Sequence, residues 1–411
     1  MIKFEKFTLE NGLRVIFHRD ETTPLAVINT LYDVGARDEN PEQTGFAHLF
    51  EHLMFGGSVN IPDFDAPLQR AGGESNAFTS NDITNYYDVL PAQNIETALW
   101  LESDRMLSLA FTDKSLETQR SVVIEEFKQR YLNQPYGDVW LELRPLAYKS
   151  HPYQWATIGK EIKHIENAKM KDVKAFFKKF YTPNNAILCI AGDFQLEEIK
   201  ALVEKWYGDI PAGQKYQRKL IKEPKQQNYR EFMIERQVPS NAFYYAFKMS
   251  DRKSTDYYIY DMISDSLGGD KSSRLYNSIQ KKHKLVTDIQ SYILGSIDEG
   301  LFLISGKLAP GKTFDELDKT LWKELEKIKS DVISEKELNR LKNKIQTSKE
   351  FQEQAILNRA MSLSYHELLG DANGINEEQN AYSDIDSENF SRVTNTLFSK
   401  NSCSLLKVKS I

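Results

Sequence analysis

Apolar positions change their spacing along this chain in a way that separates strands from helices. Phe7-Thr8-Leu9 runs into Asn11-Gly12, a hairpin turn signal, and then into Leu13-Arg14-Val15-Ile16-Phe17, so strands are predicted within residues 5–34. Leu25 to Tyr32, rich in Val, Ile and Thr, predicts a further strand. From Thr44 the period lengthens. Phe46, Leu49, Phe50, Leu53 and Met54 recur at three and four, which predicts a helix ended by Gly56-Gly57. A shorter helix around Phe64 to Arg70 ends on Gly72-Gly73, and strands are predicted at Ser75–Thr79 and Thr84–Leu90. Long helices follow at about 94–110 and 114–132.

The period is then lost. Pro211-Ala212-Gly213 opens a Lys- and Gln-rich stretch with no apolar repeat, which reads as a linker over 213–228. Beyond it the order of elements recurs: a strand at Asn241–Phe247, a helix at about Tyr257–Ser266, Leu267-Gly268-Gly269, a second short helix, two strands and a long helix near Phe314–Ser330. The pattern predicts two copies of one α/β unit of roughly 200 residues, spanning 1–212 and 229–411. The copies differ in one respect. The first helix of the second copy, around Asp261-Met262-Ile263-Ser264-Asp265, contains no histidine.

Composition narrows the class without naming a function. The 411 residues carry 53 Lys+Arg against 59 Asp+Glu, a net charge of −6, which argues against a nucleic-acid partner. Apolar residues at 40% exclude wholesale disorder. No apolar run approaches the roughly 18–20 residues of a membrane span. Met1 to Lys6 lacks a signal peptide's apolar stretch, and Cys189 and Cys403 are too few for a disulfide framework. The expectation is a soluble protein of a reducing, cytoplasmic compartment.

The sharpest chemistry lies in His48-Leu49-Phe50-Glu51-His52. On a helix His48 and His52 are four apart and project from one face, close enough to grip one cation. Glu51 lies beside them and can reach a water at the metal without competing for the metal. Two imidazoles plus a carboxylate suit zinc, and an open fourth position makes such a site catalytic. A water held there becomes acidic enough for a neighbouring glutamate to take its proton. The best third ligand lies in Ser121-Val122-Val123-Ile124-Glu125-Glu126-Phe127. Helical stepping joins Leu116, Gln119, Val123, Glu126 and Arg130 on one face, so Glu126 is an acid on a partly apolar face, costly unless a cation meets it. Glu125 is turned about 100° away and reads as solvated. Spacing alone leaves open a plain helix with i,i+4 ion pairs. Cys189 alternates within a buried strand, and His151 reads as a structural loop residue.

The inverted order His-x-x-Glu-His, in the context Gly45-Phe46-Ala47-His48-Leu49-Phe50-Glu51-His52-Leu53-Met54-Phe55, resembles the inverzincin, or M16, family of zinc metallopeptidases. Further segments fit in order. Gly72-Gly73-Glu74-Ser75-Asn76-Ala77-Phe78-Thr79 is similar to the family's Gly-Gly…Asn-Ala-x-Thr segment. Val122 to Glu126 is similar to the segment carrying its third zinc ligand. Tyr181-Thr182-Pro183-Asn184-Asn185 and Ala191-Gly192-Asp193 match the end of its first domain, and Leu267-Gly268-Gly269…Ser272-Ser273-Arg274-Leu275 a motif of its second. The resemblance implies an α+β fold of two similar domains, each a mainly antiparallel sheet covered by helices. It implies one zinc per chain on His48, His52 and Glu126, with Glu51 as general base. It also implies that a peptide substrate adds as a strand along Asn76 and Ala77. The implied activity is that of a zinc-dependent metalloendopeptidase on peptides or unfolded polypeptides.

Two positions depart from the family pattern. Many members carry a glutamate seven residues before the third ligand, where this chain has Gln119, which can hydrogen-bond a ligand but not hold a charge. Many also carry an Arg, and a Tyr seven residues later, that stabilise the oxyanion; the register places Gln280 and Thr287 there. An oxyanion donor typically contributes about 10²–10³ in rate. The expectation is therefore a dimer, with a heterodimer whose partner carries the Arg/Tyr pair preferred over a homodimer. A non-catalytic zinc-binding or assembly subunit is the alternative. Four such domains enclose the substrate in this family, so this length implies half an enclosure.

Overall fold

The computed structural model describes every residue except Leu220, so within the predicted linker only that position lies outside the described residues. The chain divides into two compact units. One comprises Met1–Lys128, Trp155–Leu220 and Glu350–Glu377; the other comprises Gln129–Gln154, Ile221–Lys349 and Glu378–Ile411.

The first unit is built on six strands: β1 (Glu5–Thr8), β2 (Arg14–Arg19), β3 (Leu25–Tyr32), β4 (Glu74–Thr79), β5 (Thr84–Pro91) and β6 (Ala186–Gly192). Their spatial order is β1-β2-β6-β3-β5-β4, antiparallel throughout except for the parallel pair β2–β6. Gly12, at φ +86°, makes the turn between β1 and β2, where a side chain would collide with Asn184. Four helices follow along the chain: α1 (Phe46–Leu53), α2 (Asp65–Arg70), α3 (Ile95–Leu107) and α4 (Asp113–Phe127). After Phe127 the helix predicted to run to 132 widens into one π-turn over Lys128–Leu132.

The second unit repeats the plan with β7 (Arg230–Arg236), β8 (Ala242–Lys248), β9 (Val286–Leu294), β10 (Leu301–Leu308) and β11 (Cys403–Ser410), ordered β7-β11-β8-β10-β9. Again one pair, β7–β11, is parallel and the rest antiparallel. Matching the two orders sets β2 with β7, β6 with β11, β3 with β8, β5 with β10 and β4 with β9. The architecture is α+β in two similar units, as the resemblance implied.

A single cut at the linker does not separate those units. The helix α5 (Val139–Ala147), ahead of the linker, buries Val139, Leu143 and Ala147 against Ala246, Leu303, Leu406 and Val408 of the second sheet. The helix Ile356–Leu369, beyond the linker, buries Ile356, Ala360 and Leu363 against Ile16, Val27, Leu31, Ile187 and Cys189 of the first. Each sheet thus takes one covering helix from the other half of the sequence. Successive strand residues point to opposite faces, and β3 shows both coverings. Asn29 donates to Ser364 Oγ of the helix Ile356–Leu369 at 2.9 Å, while Thr30 donates to Glu102 of α3 at 3.1 Å.

The 213–228 stretch forms neither helix nor strand where described, yet it is tied down. Arg218 donates to Asp38 Oδ1 at 2.7 Å and to Asp33 Oδ1 at 2.8 Å in the first unit. In the second unit, Glu223 accepts the N–H groups of Lys149, Ser150 and His151 at 2.8–3.0 Å. Cys189 and Cys403 are buried free thiols. Among the described residues no helix is long and apolar enough to cross a membrane.

Candidate metal centre

Helix α1 owes its orientation to its apolar side. Phe46, Ala47, Leu49, Phe50 and Leu53 are buried, and the Phe50 ring stacks on Phe176 and Tyr181 with centroids 5.0 Å apart in each case. That anchoring leaves His48, Glu51 and His52 half-buried on the opposite side. Gly45 begins the helix at φ +87°, where a side chain would strike the Ile158 carbonyl. The buried Glu39 carboxyl accepts the N–H groups of Gly45 and Ala47, both at 2.9 Å, and so satisfies backbone donors that a helix start leaves over. Burial pushes the Glu39 carboxyl up to about 8, while those two bonds draw it down.

Helix α4 supplies the facing side chain. Thr112 caps it by accepting Ser115 N–H, and Leu116, Val123 and Phe127 bury its inner side. Arg120 ties it further, donating to the Ile165 carbonyl at 3.2 Å. Glu126 Oε2 then lies 3.6 Å from His48 Nε2 and 3.4 Å from His52 Nε2. Two donors each about 2.0–2.1 Å from a tetrahedral zinc stand roughly 3.3–3.4 Å apart, so this donor set fits zinc in both chemistry and spacing. Among the described residues, His48, His52 and Glu126 are the one group of three or more such side chains brought together. Their side chains are 12%, 24% and 17% exposed, enough for a small molecule to approach. Glu125 points away to Lys128, at 2.7 Å.

The neighbouring residues fall into place around this group. Glu51 accepts a 2.6 Å hydrogen bond from the Thr79 hydroxyl at the end of β4. β4 is the edge strand of its sheet, with Asn76 exposed and Ala77 half-buried; the Asn76 side-chain oxygen accepts the Ala77 N–H at 2.8 Å. Gln119 is half-buried two turns before Glu126. Beneath the C-terminal end of α1, the fully buried Arg105 pairs with Glu102 and stacks on Phe64 and Tyr86, 4.4 and 4.5 Å from their centroids. Tyr86 in turn donates to the Phe50 carbonyl at 3.4 Å. Glu39, Thr79 and Arg105 were missed from sequence. Thr79 sat inside a quoted motif and Arg105 was a charge on an apolar flank, but only the fold reveals what they touch.

In the second unit the corresponding helix, Tyr257–Gly268, has no histidine, and ion pairs occupy the equivalent seam. Asp265 pairs with Lys344 at 2.9 Å on the helix Glu335–Gln352, and Arg274 pairs with Glu337 of that same helix at 2.7 Å. Gln280 and Thr287 stand side by side: Gln280 Nε2 donates to the Thr287 carbonyl at 2.6 Å.

Comparison with known proteins gives these positions a context. Residues 14–158 match the family described as Insulinase (Peptidase family M16), and 167–345 match the Peptidase M16 inactive domain. The chain is 32% identical over 346 residues to zinc protease PqqE of Helicobacter pylori, covering 83% of this chain and 78% of that protein. The chain belongs to peptidase family M16. Among solved structures, a protease from Helicobacter pylori superposes with TM-score 0.94 at 29% identity, covering 100% of both chains. Pitrilysin shares the fold at TM-score 0.80 and 17% identity, covering 99% of this chain and 45% of its own. The present chain is thus of the short, two-domain M16 type.

Proposed function

We propose that this chain is a zinc-dependent endopeptidase acting on peptides or unfolded polypeptides. The observation that carries the reading is the meeting of His48, His52 and Glu126, with Glu51 beside them. These three residues would hold zinc, which when bound supplies a Lewis acid for the scissile carbonyl and an acidified water. Glu51 takes the proton from the attacking water and passes it to the leaving amine. The substrate lies as an added strand on the β4 edge at Asn76 and Ala77, gripped by main-chain hydrogen bonds. Gln119 takes the supporting place of a ligand's neighbour.

The working form is a dimeric clamshell, with this chain as the zinc-bearing subunit of a heterodimer. Two facts support that arrangement. The chain matches just under half of pitrilysin, and neither Gln280 nor Thr287 offers the charge or phenol of an oxyanion donor. A second reading, a non-catalytic zinc-binding or assembly subunit, draws on the match of 167–345 to an inactive domain. Cleavage of a quenched fluorescent peptide decides between them, measured for the chain alone and with a co-expressed relative carrying the Arg/Tyr pair. Cleavage lost on chelation and in Glu51→Gln is the expected result. Full activity of the lone chain would sink the heterodimer, and no cleavage with any relative would favour the assembly subunit.

A further inference from the structure

We infer that Thr79 is a positioning residue for Glu51, joining the strand that receives substrate to the base that acts on it. This rests on the peptidase reading above. The contact itself is direct: Thr79 Oγ1 donates to Glu51 Oε2 at 2.6 Å, the ordinary length for a hydroxyl on a carboxylate.

The two partners differ in stiffness. Glu51 stands on α1 with three rotatable side-chain bonds, so the helix alone fixes where its carboxylate starts but not where it points. Thr79 is β-branched, with one stiff rotor, and its backbone is locked in register opposite Thr84 of β5. A rigid hydroxyl therefore selects one orientation of a flexible carboxylate.

Strand geometry adds the link to substrate. Ser75, Ala77 and Thr79 alternate with the exposed Glu74, Asn76 and Phe78, so Ala77 and Thr79 share one side of β4. A peptide paired along Ala77 and a base held by Thr79 thus take their positions from a single rigid element, two residues apart. Pre-set geometry of this kind lowers the cost of reaching the reactive arrangement.

The test uses the full-length protein in its active assembly, with Thr79→Val, Thr79→Ser, Glu51→Gln and the Thr79→Val/Glu51→Gln double variant. In Thr79→Val, kcat on a quenched fluorescent peptide should fall about 10–100-fold, with KM changed less than about 2-fold and zinc content unaltered. Thr79→Ser, which keeps the hydroxyl, should recover to within about 3-fold of wild type. The double variant should be no slower than Glu51→Gln. A Thr79→Val enzyme within about 2-fold of wild type, or one that serine does not rescue, would overturn the inference. If the wild type cleaves nothing, the peptidase reading fails, and thermal unfolding still judges the contact. Tm losses of the single variants that miss additivity by about 1–2 °C support the tie, and additive losses refute it.

Discussion

Glu126 Oε2 lies 3.4 Å from His52 Nε2, whereas Glu125, the next residue back, turns out to Lys128. Adjacent acids on one helix therefore have opposite fates, decided by about 100° of helical rotation. Glu126→Gln should weaken zinc binding by more than about 100-fold, beyond the effect of losing a supporting contact. Glu125→Gln should leave affinity within about 2-fold, since it costs at most an exposed ion pair. Competition with a chromogenic chelator reads both, and equal losses would show that the helix is turned otherwise.

Leu363 is fully buried against the first sheet although it lies in the last eighth of the sequence. Leu363→Ala should cost about 2–5 kcal/mol, as truncation in a packed core does. Hydrogen exchange should show the loss in β3 and β6. Loss confined to the second unit would contradict the helix exchange.

Lys248 Nζ is buried, 3.0 Å from the centroid of the Tyr148 ring. Burial pushes its ammonium down to about 7 from 10.5, with Glu223 and Glu299 opposing. Between those values the unfolded chain binds the extra proton, so this site opposes folding at pH 7 and ceases to do so as pH rises toward 10.5. Stability of the wild type relative to Lys248→Met should increase from pH 7 to pH 10, by on the order of 3–5 kcal/mol. Paired denaturant titrations check it, and a flat difference would place the ammonium in contact with solvent.

Much of this was legible before any coordinates. The mixed spacing of Phe46, Leu49, Phe50 and Leu53 located α1 and set which side its histidines would take. Glycine pairs marked helix ends, and the recurring order revealed the repeat. Local pattern failed where the information was not local. α5 and the helix Ile356–Leu369 each show an ordinary apolar stripe, and nothing in a stripe says which sheet it will cover. β11 escaped because Ser404 and Lys407, both buried, interrupt its apolar run, Lys407 being held by Glu231 at 2.6 Å. Arg218 and Glu223 likewise looked like solvated charges of a linker, since their acceptors and donors lie far off in sequence.

The exchanged helix also sets a clock on biosynthesis. Asn29 emerges early, but its partner Ser364 is 335 residues behind it. At roughly 5–20 residues per second, the apolar face of the first sheet stands uncovered for on the order of tens of seconds on the ribosome. A nascent chain with that face exposed is a natural client for a holding chaperone, and a ribosome that stalls before residue 356 leaves a product that sticks to others rather than a smaller working domain.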